Sequence, residues 1–297
     1  MDWRGRRRSS NVEDRRGQSV RTGAVPGLTL LLRVLPWLLR SKFGRVMLGV
    51  GVVAFVGARL LGIDVLQVAP GSAPASTAAP VNAQEQELAE FVAVVLADTE
   101  ATWQAIFAAS GATYEEPVLV LFRQRVASAC GSASAAVGPF YCPADRKVYL
   151  DLSFFRDLDR QLGAPGDFAQ AYVIAHEVGH HVQTLLGISQ QVRASGEGRP
   201  AAEVNALSVR QELQADCFAG VWGYAAQQFR QMLEPGDLEE ALRAASAIGD
   251  DRLQRRSGGD VVPDSFTHGT STQRVAWFRR GFESGDMGQC DTFANPV

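Results

Sequence analysis

Residues 171–187, A-Y-V-I-A-H-E-V-G-H-H-V-Q-T-L-L-G, contain the pattern H-E-x-x-H at His176, Glu177 and His180. Residues four positions apart on an α-helix lie on one face, about one turn apart, so the two imidazoles can bind one metal ion. The pattern on a helix is typical of Zn²⁺ sites in which the glutamate acts as general base on a metal-bound water. The stretch therefore predicts a zinc-binding helix.

The residues around this pattern predict that the helix is buried. Asp167 is a candidate N-cap, apolar side chains recur at roughly helical spacing up to Leu186, and Gly187 is a candidate end. Two unrelated histidines on a surface helix are the alternative, but the segment is apolar on nearly every side. Buried imidazoles and a buried carboxylate require partners, and a metal ion is the simplest partner that satisfies all three.

A third protein ligand is expected because catalytic zinc usually has three, with a fourth position for water. The segment Q-E-L-Q-A-D-C-F-A-G contains Glu212 and Asp216, which lie on one face of a second, largely apolar helix. We expect Glu212 to complete a His₂Glu site and Asp216 to hold a ligand imidazole through its other ring nitrogen. The reverse assignment, with Asp216 as the ligand, stays open, as does a charged helix face without a metal.

The chemistry requires a base and an oxyanion donor. Glu177 is expected to accept a proton from the activated water and to deliver it to the leaving amine. The tetrahedral oxyanion needs one donor besides the metal, and His268, in a polar segment that resembles a loop, is the candidate. A structural histidine at the start of a helix is the alternative for His268. Arg274 is expected either to brace the site or to form an ion pair.

The charge of the chain is divided unevenly. Residues 1–63 contain 12 Lys and Arg against 3 Asp and Glu, whereas the remainder contains 17 against 29. Residues 46–63 carry one charge, Arg59, and are just long enough for a transmembrane helix. Because the basic residues precede this segment, the positive-inside rule places the N-terminus in the cytoplasm and the body of the chain outside it. A cleaved signal peptide and a buried core helix are the alternatives.

Four cysteines follow the apolar segment, and their even number outside the cytoplasm suggests disulfides. Cys130 with Cys142 would close a short loop, and Cys217 with Cys290 would join the C-terminal tail to a central helix. The sequence permits three pairings. A cysteine zinc site is the alternative, but no C-x-x-C occurs.

These patterns predict an α+β protein, mainly helical with a small antiparallel sheet. The predicted regions are a basic cytoplasmic tail at 1–45, a transmembrane helix at 46–63, a flexible linker at 64–82 and the folded domain at 83–297. Within the domain, apolar periodicity predicts long helices at 83–110 and 200–232, and strands at 118–122, 140–142 and 147–151. Residues 130–138 and the polar stretch up to Gly198 are expected to be loops. The negative charge of the domain favours no nucleic-acid partner.

Five sequence stretches, taken together, are specific enough to indicate a protein family. They are W-R-G-R-R-x-S-x-N-V-E-D-R-R, G-P-F-Y-C-P-A-D, A-H-E-V-G-H-H-V-Q, E-L-Q-A-D-C-F-A-G and H-G-T-S-x-Q-R. They span nearly the whole chain, which on this basis resembles a bacterial family of membrane-anchored neutral zinc metallopeptidases. The resemblance implies a zincin-like fold with His176, Glu177, His180 and Glu212 as metal-site residues.

The sequence thus predicts a membrane-anchored Zn²⁺-dependent peptidase that hydrolyses peptides or proteins outside the cytoplasm. A non-catalytic envelope protein with a structural zinc site is one alternative. A zinc amidase that acts on cell-wall peptides is another, and it would share the chemistry. Glu177 favours an enzyme, because a purely structural zinc site has no use for a base beside its ligands.

Overall fold

Eight α-helices and six β-strands occur in the described residues of the computed structural model, which are 1–18, 81–295 and 297. The helices are α1 Ala83–Ala109, α2 Ser153–Arg160, α3 Asp167–Leu185, α4 Ile188–Gly196, α5 Ala201–Arg230, α6 Asp237–Ala247, α7 Asp250–Arg256 and α8 Ser271–Ser284. The strands are β1 Val12–Asp14, β2 Val118–Phe122, β3 Arg125–Ser128, β4 Gly131–Ser134, β5 Phe140–Cys142 and β6 Lys147–Asp151. The predicted mainly helical composition with a small amount of sheet is confirmed.

Helix α1 belongs to the core of the folded unit. It begins at a capping box between Asn82 and Glu85. Within the described ranges it is the one helix long and apolar enough to cross a membrane, but 72% of its apolar stretch is buried inside the protein. The predicted transmembrane helix at 46–63, the tail after residue 18 and nearly all of the predicted linker lie outside the described residues.

The main sheet has four strands in the order β1-β2-β6-β5. Strands β1, β2 and β6 run parallel, and β5 runs antiparallel to β6. The prediction of a small antiparallel sheet is therefore confirmed for the β5–β6 hairpin and wrong for β1 and β2, which join this hairpin in parallel. Strand β5 lies at the free edge of the sheet and packs against α3.

Residues 1–18 fold onto α1 and β2 instead of forming a solvated tail. Strand β1 pairs with β2, and the buried Trp3 packs edge-to-face against an α1 phenylalanine. The buried Glu100 on α1 accepts hydrogen bonds from Arg7 and Ser9. The expectation of a solvated tail is therefore wrong for residues 1–18, whereas their compartment stays a prediction. Arg4, Arg7 and Arg8 have carboxylate partners on α1, which a count of charges along the sequence does not reveal.

This packing is incompatible with the predicted single-pass topology. One crossing at residues 46–63 would place residues 1–18 and residues 81–297 on opposite faces of a membrane. In the structure both parts belong to one compact unit, and they share the β1–β2 pairing. A cytoplasmic N-terminus combined with an extracytoplasmic catalytic domain would therefore require residues 1–18 to leave this unit.

Two segments expected to be loops are regular structure. The polar stretch after Gly187 forms α4, and residues 130–138 contribute β4, which pairs with β3 in a separate two-stranded sheet. Gly187 itself has a φ of 76°, in the left-handed region that favours glycine, so the chain turns sharply there and α4 begins directly afterwards. Helix α4 consequently lies beside α3 and α5 instead of leaving an open loop over the site.

Both expected disulfides are present. Cys130 and Cys142 join the β3–β4 hairpin to the edge strand β5, and Cys217 and Cys290 join α5 to the segment after α8. Helices α5 and α8 also cross very closely, since a Cβ at Gly281 would lie 2.0 Å from the backbone oxygen of Cys217. Glycine is required at this crossing, which brings α8 against the helix that carries the predicted acidic residues.

Candidate metal centre

The structure brings His176, His180 and Glu212 to one point. His176 Nε2 lies 3.1 Å from Glu212 Oε2, and His180 Nε2 lies 3.3 Å from Glu212 Oε1. Bonds of about 2.0–2.1 Å in a tetrahedral zinc site separate neighbouring ligand atoms by roughly 3.3 Å. One donor atom from each residue lies within 4.8 Å of the other two. The three residues that the sequence selects as ligands are therefore neighbours in the fold.

Local sequence explains how α3 and α5 present these side chains. His176 and His180 are one helical turn apart on α3, so both rings extend from the same face. A Cβ at Gly179, between them, would lie 3.0 Å from the backbone oxygen of Ala215 on α5. The glycine permits this close helix contact, and α5 can bring Glu212 up to the two imidazoles.

The second ring nitrogen of each imidazole faces a side-chain oxygen. His176 Nδ1 lies 2.8 Å from Asp216 Oδ1, and His180 Nδ1 lies 2.9 Å from Gln183 Oε1. These oxygens only accept hydrogen bonds, so each Nδ1 carries a proton, and Nε2 is the ring nitrogen that each imidazole turns toward Glu212. The Gln183 amide is oriented because its nitrogen donates to the backbone oxygen of Gln211. Asp216 lies where the sequence analysis places it, whereas Gln183 was missed.

Asp216 is the centre of a buried polar cluster. Arg274 donates from Nε to Oδ2 and from Nη2 to Oδ1, and the Tyr172 hydroxyl donates to Oδ1. Burial alone raises the pKa of Asp216, but the charges of Arg274 and His176 outweigh it and hold the pKa below the usual value. The carboxylate therefore stays ionised beside His176. Tyr172 was missed as a polar partner, although its position one turn before His176 is a usable signal.

The electrostatics of the centre favour a cation. Burial lowers the pKa of His176, but Asp216 and Glu212 raise it to about 10. Burial likewise opposes the Glu212 carboxylate, yet the two imidazoles hold its pKa well below the usual value. Carboxylates so placed stabilise positive charge between them, whether protons or a metal ion carry it. Two imidazole nitrogens with one carboxylate oxygen are a donor set of catalytic Zn²⁺ sites, so these residues fit that metal.

Glu177 faces a cavity of about 610 Å³ next to the three candidate ligands. No hydrogen bond or ion pair reaches its carboxylate from elsewhere in residues 1–18 and 81–297, as far as these are described. The same cavity is lined by His176, His180 and Glu212. The candidate base and the candidate ligands therefore open onto one space, in which the Glu177 carboxylate can accept a proton from water.

His268 lines this cavity as well, and a carboxylate that the sequence analysis did not select positions it. Its Nδ1 lies 3.3 Å from Asp250 Oδ1 and 2.9 Å from Thr267 Oγ1. Asp250 Oδ2 also accepts the backbone N–H groups of three consecutive residues, Thr267, His268 and Gly269. The hydrogen bond with Asp250 raises the pKa of His268. Asp250 was missed because it begins α7, a helix that the sequence analysis did not predict.

His181 has a separate role from its neighbour His180. It is buried, its Nδ1 lies 3.1 Å from the Tyr141 hydroxyl, and its Nε2 lies 2.6 Å from the backbone oxygen of Glu115. Burial lowers the pKa of His181, which favours the neutral ring. A neutral His181 donates from Nε2 and accepts at Nδ1, so it connects α3 to the edge strand β5 and does not point at the metal-site residues.

The fold and the site define a mainly helical protein in which an H-E-x-x-H helix and an acid-bearing helix form a candidate metal centre. A family profile described as "Putative neutral zinc metallopeptidase" matches residues 1–293, and the chain belongs to this family. The matched range includes residues 1–18, which agrees with their place in the folded unit.

Relatives with similar sequences extend over the whole chain or over much of it. The chain is 54% identical over 299 residues to "Uncharacterized protein YpfJ" of Escherichia coli (strain K12), with all of both chains covered. It is 45% identical over 191 residues to "Uncharacterized protein Mb2605" of Mycobacterium bovis, with 61% of this chain and 64% of the relative covered. The same values hold for "Uncharacterized protein Rv2575" of Mycobacterium tuberculosis. No solved structure matches the chain, so its zincin-like character stays a prediction.

Proposed function

We propose that this protein is a Zn²⁺-dependent peptidase with a zincin-like site, in which His176, His180 and Glu212 hold the metal. The observation that carries the proposal is the meeting of two Nε2 atoms and one carboxylate at a cavity that also contains the free carboxylate of Glu177. A bound zinc ion supplies Lewis-acid activation of water and of the scissile carbonyl.

The protein's own residues account for the remaining steps. Glu177 accepts the proton of the attacking water and transfers it to the leaving nitrogen. His268, with its Nδ1 proton facing Asp250, can donate from Nε2 to the developing oxyanion when the ring is protonated. Asp216 and Gln183 keep the two ligand imidazoles in the tautomer that presents Nε2.

A structural zinc site in a non-catalytic envelope protein is less well supported. Structural zinc sites are usually closed by four protein ligands, whereas here three candidate ligands border a cavity. Within the part of the chain that the structure describes, the carboxylate of Glu177 has no structural partner to justify its burial. A zinc amidase on cell-wall peptides would use the same groups, and the substrate alone distinguishes it from a peptidase.

Two disulfides support a location outside the cytoplasm, because disulfides persist mainly in oxidising compartments. Attachment to a membrane through residues 46–63 stays part of the proposal, without a single crossing that would separate residues 1–18 from the catalytic domain. In this proposal residues 1–18 accompany the catalytic domain, as the β1–β2 pairing requires.

The proposal is tested by measuring zinc content and peptide cleavage for the purified full-length protein, with and without a chelator. We expect about one zinc per chain, cleavage that the chelator abolishes, and a loss of roughly 10²–10⁴-fold in Glu177→Gln with zinc retained. Glu203→Gln, on the exposed start of α5, is the matched control. Cleavage by Glu177→Gln at the wild-type rate would remove Glu177 from the mechanism. Zinc binding without cleavage of any peptide, combined with unfolding of Glu212→Ala, would favour the structural-zinc alternative.

A further inference from the structure

We propose that the site is an endopeptidase site, which binds an extended polypeptide across the metal centre and prefers an apolar side chain next to the scissile bond. This inference rests on the proposed peptidase function. It concerns the space around the metal centre, whose two sides differ in chemistry.

Two cavities border the candidate ligands. The cavity of about 610 Å³ described above shares Tyr141, His180 and Glu212 with a second cavity of about 520 Å³. A substrate whose scissile bond lies at the metal centre can therefore place residues in both cavities. The three shared residues belong to the metal centre and to the strand beside it, so both cavities border the place where the scissile bond would lie.

Strand β5 connects the two cavities along one wall. Phe140 lines the first cavity, Pro143 lines the second, and Tyr141 lines both. As the edge strand, β5 pairs on one side with β6, and no backbone group elsewhere in the described ranges bonds to it. An edge strand has unpaired N–H and C=O groups that can pair with an extended peptide. The hydrogen bond between His181 and Tyr141 fixes this strand against α3, close to the metal centre.

The first cavity, which we call the apolar cavity, is lined largely by hydrocarbon side chains. They come from the segment before β5 and from α2, α3, the end of α6 and α7, and they are Val137, Phe154, Leu162, Val173, Ile248 and Leu253. Val137 and Leu253 are 67% and 38% exposed, so apolar surface at the rim stays open to solvent. Exposed apolar surface at a cleft is typical of a binding site for apolar groups.

The apolar cavity has a fixed wall. Arg256, on α7, donates hydrogen bonds to the backbone oxygens of Gln161 and Leu162 at the end of α2. These bonds join the two short helices that carry Leu253 and Phe154. Such bonds favour a preformed cavity, and a preformed cavity can select side chains by size and polarity.

The lining of the second cavity favours no single class of substrate side chain. It lies between α4 and the first turns of α5, and its lining mixes apolar Val192 and Leu207 with charged Arg193 and Glu197. No residue of α4 is buried, so this wall is held only by contacts along one face. The preference for an apolar residue is therefore assigned to the apolar cavity alone.

The reaction itself is hydrolysis of an internal amide. The hydroxyl of water bonds to the carbonyl carbon, the C–N bond breaks, and the remaining proton of water goes to the leaving nitrogen through Glu177. No co-reactant other than water is required, and neither chain end takes part.

The test uses the full-length zinc-loaded protein and a mixed library of peptides that are N-acetylated and C-amidated, alongside the same peptides with free ends. We expect blocked peptides to be cut at internal bonds at rates within about threefold of the free peptides. One position beside the cut should be enriched in Leu, Phe or Val. Leu253→Asn should lower kcat/KM at least about tenfold for substrates with an apolar residue there.

Leu186→Asn is the matched control, since Leu186 is 40% exposed and lines neither cavity. We expect this variant to retain wild-type rates and preference. Cleavage confined to peptides with a free end would overturn the endopeptidase inference and leave the peptidase function intact. Equal rates for Leu253→Asn and Leu186→Asn, or no enrichment beside the cut, would overturn the assignment of the apolar cavity. Absence of cleavage in every peptide would overturn the proposed function and this inference together.

Discussion

Arg274 on α8 binds Asp216 on α5 through two hydrogen bonds, from Nε to Oδ2 at 2.8 Å and from Nη2 to Oδ1 at 2.9 Å. Both side chains are almost completely buried. Asp216 in turn faces Nδ1 of His176 at 2.8 Å, so one carboxylate connects the arginine to a candidate metal ligand. Three helices that are distant in sequence meet at this point, and the predictions for stability and metal binding start from it.

Replacement of the arginine should destabilise the fold strongly. In Arg274→Met the Asp216 carboxylate stays buried and loses the one cationic partner other than His176 that the described residues provide. Removing one partner of a buried ion pair typically costs about 3–5 kcal/mol, because the other charge is left uncompensated. We expect urea denaturation to show a loss of that size in the free energy of unfolding.

The double variant Arg274→Met with Asp216→Asn provides the control, because it removes both charges. We expect the double variant to be more stable than Arg274→Met alone, which would show that the uncompensated charge is the cause. Additive losses in the double-mutant cycle would contradict this explanation. The introduced amide can still accept from His176 through its oxygen, so the imidazole keeps an acceptor.

Gln183 should affect metal affinity more than stability. Its Oε1 is the acceptor for Nδ1–H of His180, and partners that orient a metal ligand typically contribute about 10–100-fold to metal affinity. We expect Gln183→Leu to lower zinc affinity by roughly that factor in competition titrations with a chromogenic chelator. Gln228→Leu, which makes the same substitution at an exposed position of α5, should leave the affinity unchanged. Equal affinities for the two variants would show that His180 needs no acceptor at Nδ1.

The pH dependence of cleavage should report on His268. Because its Nδ1 proton faces Asp250, Nε2 carries a proton only in the imidazolium form, and donation to the oxyanion is lost as the pH rises through the pKa of His268. The hydrogen bond with Asp250 raises that pKa against the lowering effect of burial, with a further increase from Glu212 and a smaller decrease from Arg274. Asp250→Asn removes the main raising contribution. With its oxygen on the backbone N–H groups of the loop, its amide NH₂ faces Nδ1, so the neutral ring can carry its proton on Nε2 and the alkaline fall in kcat should become shallower than in the wild type.

The control for this experiment is His268→Gln, which offers a donor without a titration in this range. We expect the alkaline fall assigned to His268 to disappear, with the rate at the optimum reduced by roughly 10²-fold. In Asp250→Asn the amide oxygen of the new side chain can still accept the backbone N–H groups of the loop, so the fold of that variant should be kept. A pH–rate profile that is identical in wild type and Asp250→Asn would remove His268 from the chemistry.

The candidate ligands could be selected from the sequence because their spacing is local. His176 and His180 are one turn apart, and Glu212 and Asp216 repeat that spacing on a second helix, so helical geometry alone orients each pair. The distance between the two helices cannot be predicted from this spacing. That distance depends on Gly179, where the absence of a Cβ permits the contact with α5.

The features that were missed depend on contacts between segments distant in sequence. Asp250 acts on His268 eighteen positions later, and Gln183 is aligned by a backbone oxygen of α5. The arginines of residues 1–18 look like a solvated cationic tail, but Arg7 and Arg8 form ion pairs with carboxylates of α1 in the structure. Charge composition describes such a segment only as basic. The strand Val12–Asp14 has only three residues, which is too short to give a periodic signal. Its pairing with β2 therefore could not be predicted from the sequence.

The place of residues 1–18 predicts the outcome of a labelling experiment on the full chain. Ser10 and Ser257 are both exposed, the first in the N-terminal segment and the second in the catalytic domain, and the four native cysteines are paired. We expect single variants Ser10→Cys and Ser257→Cys to react equally with a membrane-impermeant maleimide on intact spheroplasts. The physical reason is that β1 and β2 are paired in one sheet, so the two positions share one compartment.

The two cysteines test two questions: whether both positions lie in one compartment, and whether that compartment is outside the cytoplasm. Each pattern of labelling therefore has a distinct meaning. Equal labelling without permeabilisation supports both the shared compartment and the extracytoplasmic location that the disulfides favour. Equal labelling only after permeabilisation would keep the shared compartment but contradict the extracytoplasmic location. Labelling of Ser257→Cys alone on intact spheroplasts would restore a single crossing at residues 46–63. That result would require residues 1–18 to leave the sheet in the membrane-attached protein, at the expense of the buried contacts between Glu100 and the N-terminal segment.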